Sequence, residues 1–471
     1  MGISLEHITK NLQNEDANDY RALNSSLFLN ADKACIVIDD DPTGNQTVYD
    51  VPLLSSWSID VFVKEFIEGT PVFFVLTNSR SLTAEATAKI YKEIAENILK
   101  ASELTQRKYT IISRSDSTLR GHFPLEPETL QYNLGLKDAI KAFIPVMFEG
   151  KRVTINSTHY IRDEDTLTPV NATPFAQDHT FKYSKANLKA YIEEKSFGKI
   201  NSEEVFSFSL NDIRQNDVKV LVENILEIPA KSYCVFDSLN YKDLDKVAQA
   251  LLMAEKLGKQ IIYRTSSSFV PSYIGLPPKE LLSSAEVIDK NNTNGGLTIV
   301  GSYVKKSSEQ LHNALELYAD HQIIEVDVKK ALSDETSNYI TEVITHIDAA
   351  LENGEDVIVF TSRDLVTGKD SNSTINIGNK ISVSLVNILK GIHCRPRYLI
   401  AKGGITSHDL ATKGLGMRRS KVLGQIQPGI PIWEMGEETK FPRLPYVVFP
   451  GNVGDKSTLQ TIITKLKHHD Q

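Results

Sequence analysis

The chain has 471 residues, of which 41% are hydrophobic and 24% charged, and its formal net charge is -8 at pH 7. That length exceeds one ordinary core and calls for two or more α/β units, while the apolar content excludes extended disorder. The acidic balance and the lack of a basic patch argue against a nucleic-acid surface, because phosphate backbones select clustered lysine and arginine.

Short runs rich in Val, Ile and Phe alternate with amphipathic segments, the pattern of parallel strands covered by helices on both faces. Strands are expected at 34–38, 71–76, 109–112, 142–146, 233–236 and 260–263, then at 297–300, 357–360, 397–400 and 446–449. Leu244, Val247, Leu251 and Ala254 mark a helix closed by Gly258. Ile340, Val343, Ile344, Ile347 and Leu351 mark another closed by Gly354, and each helix runs directly into a strand. These are βαβ units. The polar stretch DKNNTNGG at 289–296 carries turn formers without periodicity, so the boundary is placed there, with 1–290 as one domain and 297–471 as the other. The expected fold class is α/β: two Rossmann-like domains with mainly parallel sheets and a cleft between them. Cys35, Cys234 and Cys394 lie in or beside apolar runs and read as free thiols. With no secretory pattern and no run near the roughly 20 apolar residues of a membrane span, a cytoplasmic protein without a membrane partner is expected.

The first strand runs into IDDDPTGNQT, which sets Asp39, Asp40 and Asp41 at its carboxyl end, where open α/β sheets bind ligands. Three adjacent carboxylates need compensation by a ligand hydroxyl, a magnesium ion or an arginine; the competing reading is a solvated acidic turn. The next strand ends in LTNSRSLT, with Asn78, Ser79 and Arg80, ahead of a helix beginning near Thr83. The one after it ends in ISRSDSTLRGH, with Arg114, Ser115, Asp116, Ser117, Thr118, Arg120 and Gly121. Guanidinium forks suit a carboxylate and the hydroxyls with Asp116 suit alcohols, so the three loops together fit a polyhydroxylated anion. Arg264 and the serines that follow it add a weaker signal, and His122 and His159 read more readily as packed or exposed residues than as ligands.

In the second half glycine replaces arginine at the strand ends: Gly301 and Ser302, then Gly403, Gly404 and Thr406, then Gly451 and Gly454. Glycine lets a backbone approach phosphate closely, and helix amino termini favour anionic oxygens, which points to a nucleotide. GNVGDKS superficially resembles a phosphate-binding P-loop, but Asp455 breaks the required Gly-Lys-Ser run, and both the protein-kinase motif set and the GxGxxG fingerprint are missing. Lys413, Arg418, Arg419 and Lys421 form a basic stretch that reads equally as a phosphate neighbour or a solvated loop, and Trp433 reads as packing.

The runs DDDPTG, TNSRSLT, RSDSTLRGHFPLE, YRTSSSFV, KGGITSHDLATKGLG, RRSKVLGQI and LPYVVFPGNVGD, in this order over residues 34 to 456, resemble the four-carbon acid sugar kinase family. The resemblance implies an amino-terminal sugar-acid domain, a carboxy-terminal nucleotide domain, and phosphorylation by ATP, with its Mg2+, of a terminal hydroxyl on a threonate, erythronate or oxo-tetronate. It implies nucleotide contacts at Ser302, Gly403, Gly404, Ile405, Thr406 and Gly451, and sugar-acid contacts among Asp39, Asp40, Arg80, Arg114 and Asp116. The chain departs from the family at DDDPTG, where DDLTGA-like motifs are common, at Lys151, where a second glycine is common, and at 407–409.

From these readings the acid's carboxylate is expected on Arg80 or Arg114, Asp40 or Asp116 is expected to orient or deprotonate the acceptor hydroxyl, and closure of the two domains would bring that hydroxyl in line with the γ-phosphate. A non-catalytic sugar-acid sensor is the rival reading, and a nicotinamide dehydrogenase a more distant one. A homodimer stays open, and no protein metal site is nominated.

Overall fold

The computed structural model describes residues 2–10, 12–331, 336–362 and 371–467, with backbone alone for 371–379. The chain forms two compact units: Met1–Val48 with Ser56–Pro278, and Tyr49–Ser55 with Lys279–Gln471.

Strands in chain order through the first unit begin with β1 (Ile3–Ser4), β2 (Lys33–Asp39), β3 (Val51–Leu54), β4 (Val72–Leu76) and β5 (Lys108–Arg114). They continue with β6 (Ile140–Ile144), β7 (Arg152–Ile155), β8 (Thr158–Asp163), β9 (Thr166–Pro169), β10 (Phe206–Phe208), β11 (Tyr233–Phe236) and β12 (Ile261–Thr265). Of these, β3 belongs to the second unit. The first unit's main sheet runs β10-β11-β6-β12-β5-β2-β4, with every pair parallel. Strands β2, β4 and β6 are buried along almost their whole length, as a sheet covered on both faces requires. A small antiparallel sheet, β1-β9-β8-β7, is appended. The chain leaves β2 for β4 on one side and returns to β5 on the other, so the strand order reverses between β2 and β5. In open α/β sheets that reversal opens a crevice at the carboxyl ends.

The second unit adds β13 (Leu297–Val300), β14 (Ile323–Val326), β15 (Val357–Thr361), β16 (Leu399–Lys402), β17 (Arg419–Gln427), β18 (Ile430–Met435) and β19 (Pro445–Phe449). Its order is β3-β17-β18-β19-β16-β13-β15-β14, parallel from β19 to β14 and antiparallel from β3 to β19. The order reverses between β13 and β16, which gives this unit a crevice of the same kind. Its core packs Val300, Ile358, Ile400, Ile432, Val447 and Phe449 against Leu459, Ile462 and Ile463 of the last helix.

Local signals act where the residues carry them. Gly258 and Gly354 take φ of +94° and +77° at the ends of the two helices they close. Thr83 caps the helix Ala84–Thr105 by accepting from the Ala86 amide. Lys151 takes φ of +62°, the left-handed conformation that a glycine adopts without strain. The basic stretch after Lys413 folds into the antiparallel pair β17–β18, where Lys421 pairs with Asp50 at 2.7 Å, while Lys413 pairs with Asp409 at 2.8 Å. Trp433 is buried and stacked on Tyr446, so it is a core residue. Gly295 and Gly296 are packed inside the second unit, where an added Cβ would meet the Glu355 carbonyl and the Tyr398 ring. No helix among the described residues is long and apolar enough to cross a membrane.

Candidate functional site

In the first unit the nominated residues gather at the β2–β5 crevice, arranged in two layers. The inner layer is buried. Arg114, the last residue of β5, donates to Asp39 Oδ1 at 2.9 Å and to Ser267 Oγ at 2.7 Å. Gly44 makes room for this pair, since a Cβ there would stand 2.2 Å from Arg114 Nη1 and from both Asp39 carboxyl oxygens. Asp40 accepts from Ser115 Oγ at 2.5 Å, and Ser115 accepts in turn from Arg264 Nη2 at 2.7 Å. Arg264 also holds the buried Glu126 at 2.5 Å, and Ser79 donates to the other oxygen of Glu126 at 2.7 Å. Burial pushes the Asp39 carboxyl up to about 7, against the pull of Arg114. Asp40 is raised for the same reason, against Arg80. Its Oδ1 accepts no hydrogen bond, with Arg80 and Arg114 each standing 3.7 Å away.

The outer layer keeps some exposed surface. Asn78 turns the chain after β4 in the left-handed conformation, which asparagine tolerates better than most residues, and so brings Arg80 back over the β2 tip. Arg80 bonds Asp41 and lies 3.2 Å from Asp116 Oδ1. Arg120 holds Asp116 Oδ2 at 2.8 Å, and Thr118 donates to the same oxygen. Burial works against ionisation of Asp116, but Arg80 and Arg120 overcome it and hold the carboxyl well below the usual range. Asp41 is likewise lowered against its burial by Arg80 and by the bonds from Thr43. A hollow of about 10 Å³ between Ser115, Asp116, Arg120 and Arg264 has room for about one water. A separate groove of about 400 Å³ beside β7 and β8, lined by Phe148, Lys151, Arg162 and Tyr241 among others, contains none of the nominated site residues.

The structure therefore brings Asp39, Asp40, Arg80, Arg114 and Asp116 together. It divides them, with Arg80 and Asp116 outside and Asp39, Asp40 and Arg114 beneath. Arg120 joins the outer layer, and the signal for it was its place among the guanidiniums of the loop after β5. Arg264 and Glu126 are inner members, and the signal for Arg264 was its position at the end of a strand ahead of three serines. His159 is buried and hydrogen-bonded to the Ser117 carbonyl at 2.8 Å and to Thr154 at 2.9 Å, with burial pushing its pKa down to about 4. It is a packed support for the loop after β5. His122 lies within 3.2 Å of the Ser79 and Leu82 carbonyls, in the same kind of role.

In the second unit the loops after β13, β16 and β19 converge at the β13–β16 crevice. A Cβ on Gly301 would fall 2.3 Å from Thr406 Oγ1, one on Gly403 3.0 Å from Ser302 Cβ, and one on Gly451 3.1 Å from Ser302 Oγ. Ser307, at the start of the helix Lys305–Leu315, ties two of these loops together, with its hydroxyl 3.1 Å from the Gly451 carbonyl, to which it donates, and hydrogen-bonded to Ser302 Oγ at 3.0 Å. Gly403 needs its φ of +122° to make the turn, while a Cβ on Gly404 would meet nothing within 4 Å. The surface over Gly404 is bare backbone open to a ligand. Lys402, unremarked in the sequence, is buried at the tip of β16, donates to the Pro450 carbonyl at 3.2 Å and lies 3.7 Å over the Phe449 ring. Asp455, which breaks the P-loop pattern, accepts from Ser457 N at 2.9 Å and Thr458 Oγ1 at 2.9 Å, and so shapes the turn into the helix Thr458–Lys467. Among the described residues, no group of three or more His, Cys, Asp or Glu side chains is arranged to hold a metal ion.

One unit with a charged, hydroxyl-rich crevice and another with a glycine-lined crevice define a two-domain protein that binds a polar small molecule and a nucleotide. Comparison with family models agrees: residues 35–273 match a sugar-binding N-terminal domain and 297–459 a nucleotide-binding C-terminal domain. The chain belongs to the family that joins these two domains, the four-carbon acid sugar kinase family. Solved structures share the fold, two of them as follows. Protein HI1011 of Haemophilus influenzae, of the DUF1537 family, is 15% identical, with 92% of this chain and 100% of that one covered and a TM-score of 0.63. A protein of Salmonella typhimurium LT2, described provisionally as a tRNA synthase, is also 15% identical, with 91% and 98% covered and a TM-score of 0.65. A search of curated proteins gives no match.

Proposed function

We propose that the protein transfers the γ-phosphoryl group of ATP to the terminal hydroxyl of a four-carbon sugar acid of the threonate, erythronate or oxo-tetronate type, in the cytoplasm. The observation that carries this reading is that each unit places one half of the required chemistry at its own topological switch point: paired arginines and carboxylates in one, stacked glycine loops in the other.

The acid's carboxylate binds Arg80, with Arg120 beside it, because these guanidiniums keep exposed surface while the Arg114 fork is spent on Asp39 and Ser267. Asp116, held ionised by the same two arginines, accepts a hydrogen bond from the acceptor hydroxyl and orients it. A carboxylate with a depressed pKa is a weak base, which suffices because phosphoryl transfer passes through a loose transition state and depends on position and charge. Asp40 has no exposed surface and acts through Arg80. In the second unit Ser302, Gly403, Gly404, Thr406, Gly451 and the backbone of Ile405 hold the phosphates, and Mg2+ bound with the nucleotide would supply charge neutralisation there.

A coupled assay of ADP release tests this with D-threonate, D-erythronate and their oxo acids side by side. One of them should stimulate turnover, and Asp116→Asn, which disturbs the placing of the hydroxyl, should lower kcat by roughly 100-fold. A tetronate that raises the melting temperature without any ADP release would mark a binding protein and overturn the kinase reading. Wild-type turnover in both Asp116→Asn and Asp40→Asn would remove the catalytic assignment.

A further inference from the structure

Among the described residues of the second unit, five large apolar side chains are exposed: Leu281, Tyr303, Val304, Val383 and Ile405. Scattered exposed apolar residues are ordinary and need no account. These are not scattered, because three of the five stand on the two loops that meet at the β13–β16 crevice. Tyr303 is 67% exposed and Val304 38%, directly after Ser302, and Ile405 is 61% exposed, directly after Gly404.

The backbone around them fixes how close these positions are. Ser302 lies about 3 Å from where a side chain on Gly403 or Gly451 would begin, and Val304 Cγ2 lies 3.5 Å from that same point on Gly451. Exposed apolar side chains therefore flank a patch of bare glycine backbone, with open space above Gly404. A phosphate chain has no use for a phenol ring or an isoleucine. A ligand with an anionic end and a flat aromatic end uses both parts, the first on the glycines and the second against the ring and the branched aliphatic chain.

We propose that Tyr303 and Ile405, with Val304 beside them, form the clamp for the base of the bound nucleotide, and that Tyr303 supplies the stacking face. This rests on the nucleotide reading given above and adds to it the residues that recognise the base. Stacking on an aromatic side chain is worth about 1–3 kcal/mol per base by alanine substitution, which corresponds to roughly 5- to 150-fold in affinity.

The test is calorimetric titration of the full chain with ATP and with inorganic tripolyphosphate, for the wild type, Tyr303→Ala, Tyr303→Phe and Ile405→Ala. Tyr303→Ala should weaken ATP by about 5- to 150-fold while leaving tripolyphosphate, which has no base, unchanged. Tyr303→Phe keeps the ring and should bind ATP as the wild type does, and Ile405→Ala should weaken ATP alone. Because Tyr303 is exposed, a thermal melt matching the wild type is expected for its variants. Equal losses for ATP and tripolyphosphate, or unchanged ATP affinity in Tyr303→Ala, would overturn the clamp while leaving the nucleotide reading intact. A wild-type chain that binds neither ligand would overturn both.

Discussion

Gly44→Ala is the sharpest probe of the inner layer, because its effect follows from one clash. The added Cβ would stand 2.2 Å from Arg114 Nη1 and from both Asp39 oxygens, and these atoms must retreat by about 1 Å to reach ordinary contact at 3.4 Å. Arg114 has nowhere cheap to go, since it is buried and bonded to Ser267 as well as to Asp39. Where the methyl forces the two groups apart by that much, their 2.9 Å hydrogen bond is lost and a buried ion pair is broken. Breaking such a pair costs about 3–5 kcal/mol. For a unit of this size that corresponds to a fall of roughly 6–20 °C in melting temperature. Scanning calorimetry of the full chain would measure it, with Gly69→Ala as the control. Gly69 has φ of +69° and nothing within 4 Å, so the control carries backbone strain without a clash and should lose about 1–2 kcal/mol. A Gly44→Ala transition within a degree of wild type, or a control that falls as far, would refute the account.

Two further outcomes follow from single positions. Gly404→Ala has no neighbour to strike and should leave stability unchanged within about 0.5 kcal/mol, yet it should weaken nucleotide binding in a titration if phosphate lies over that backbone; unchanged affinity would show that no phosphate approaches there. Asp237 is buried and pushed up to about 7 by that burial, against the amide bonds it accepts from Asn156 and Ser157. Its folded value lies above its unfolded one, so its favourable contribution is complete below about pH 4 and is lost as pH rises through about 7. Asp237→Asn carries no such proton, so the gap in melting temperature between wild type and variant should narrow from pH 5 to pH 8. A constant gap would refute the assignment.

All ten strands expected from continuous apolar runs are present, because burial on both faces writes itself into sequence as uninterrupted Val, Ile and Phe. Most of the strands that were not expected are alternating or short. In β17, burial alternates residue by residue from Arg419 to Gln427, so polar and charged residues interrupt the run that would have announced it. The glycines at 295 and 296 carry the composition of a linker and are also packed beneath Glu355 and Tyr398, while the contacts divide the compact units at Pro278 and Lys279. Composition reports which residues tolerate a turn and says nothing about what packs against it. At the site, residue types and loop order were legible from strand ends alone. The layering was not, because whether an arginine at a strand tip faces a ligand or a buried aspartate depends on contacts between distant segments, such as Arg114 with Ser267.

The layering also answers how three adjacent aspartates can stand at one strand tip and still leave the site able to receive an acid. The two layers together hold five carboxyls, Asp39, Asp40, Asp41, Asp116 and Glu126, against four guanidiniums, Arg80, Arg114, Arg120 and Arg264. With every group ionised, the excess is negative and would repel a sugar acid. Burial works against that excess in the inner layer. Asp39 is pushed up to about 7 and Asp40 is raised as well, so burial favours the protonated form there and lowers the negative excess that Arg114 and Arg264 face. The outer layer is balanced by itself, Arg80 and Arg120 against Asp41 and Asp116, with both acids held ionised. A ligand carrying one carboxylate and several hydroxyls finds guanidinium for the first and carboxylate acceptors for the others, on a surface that is close to neutral as a whole.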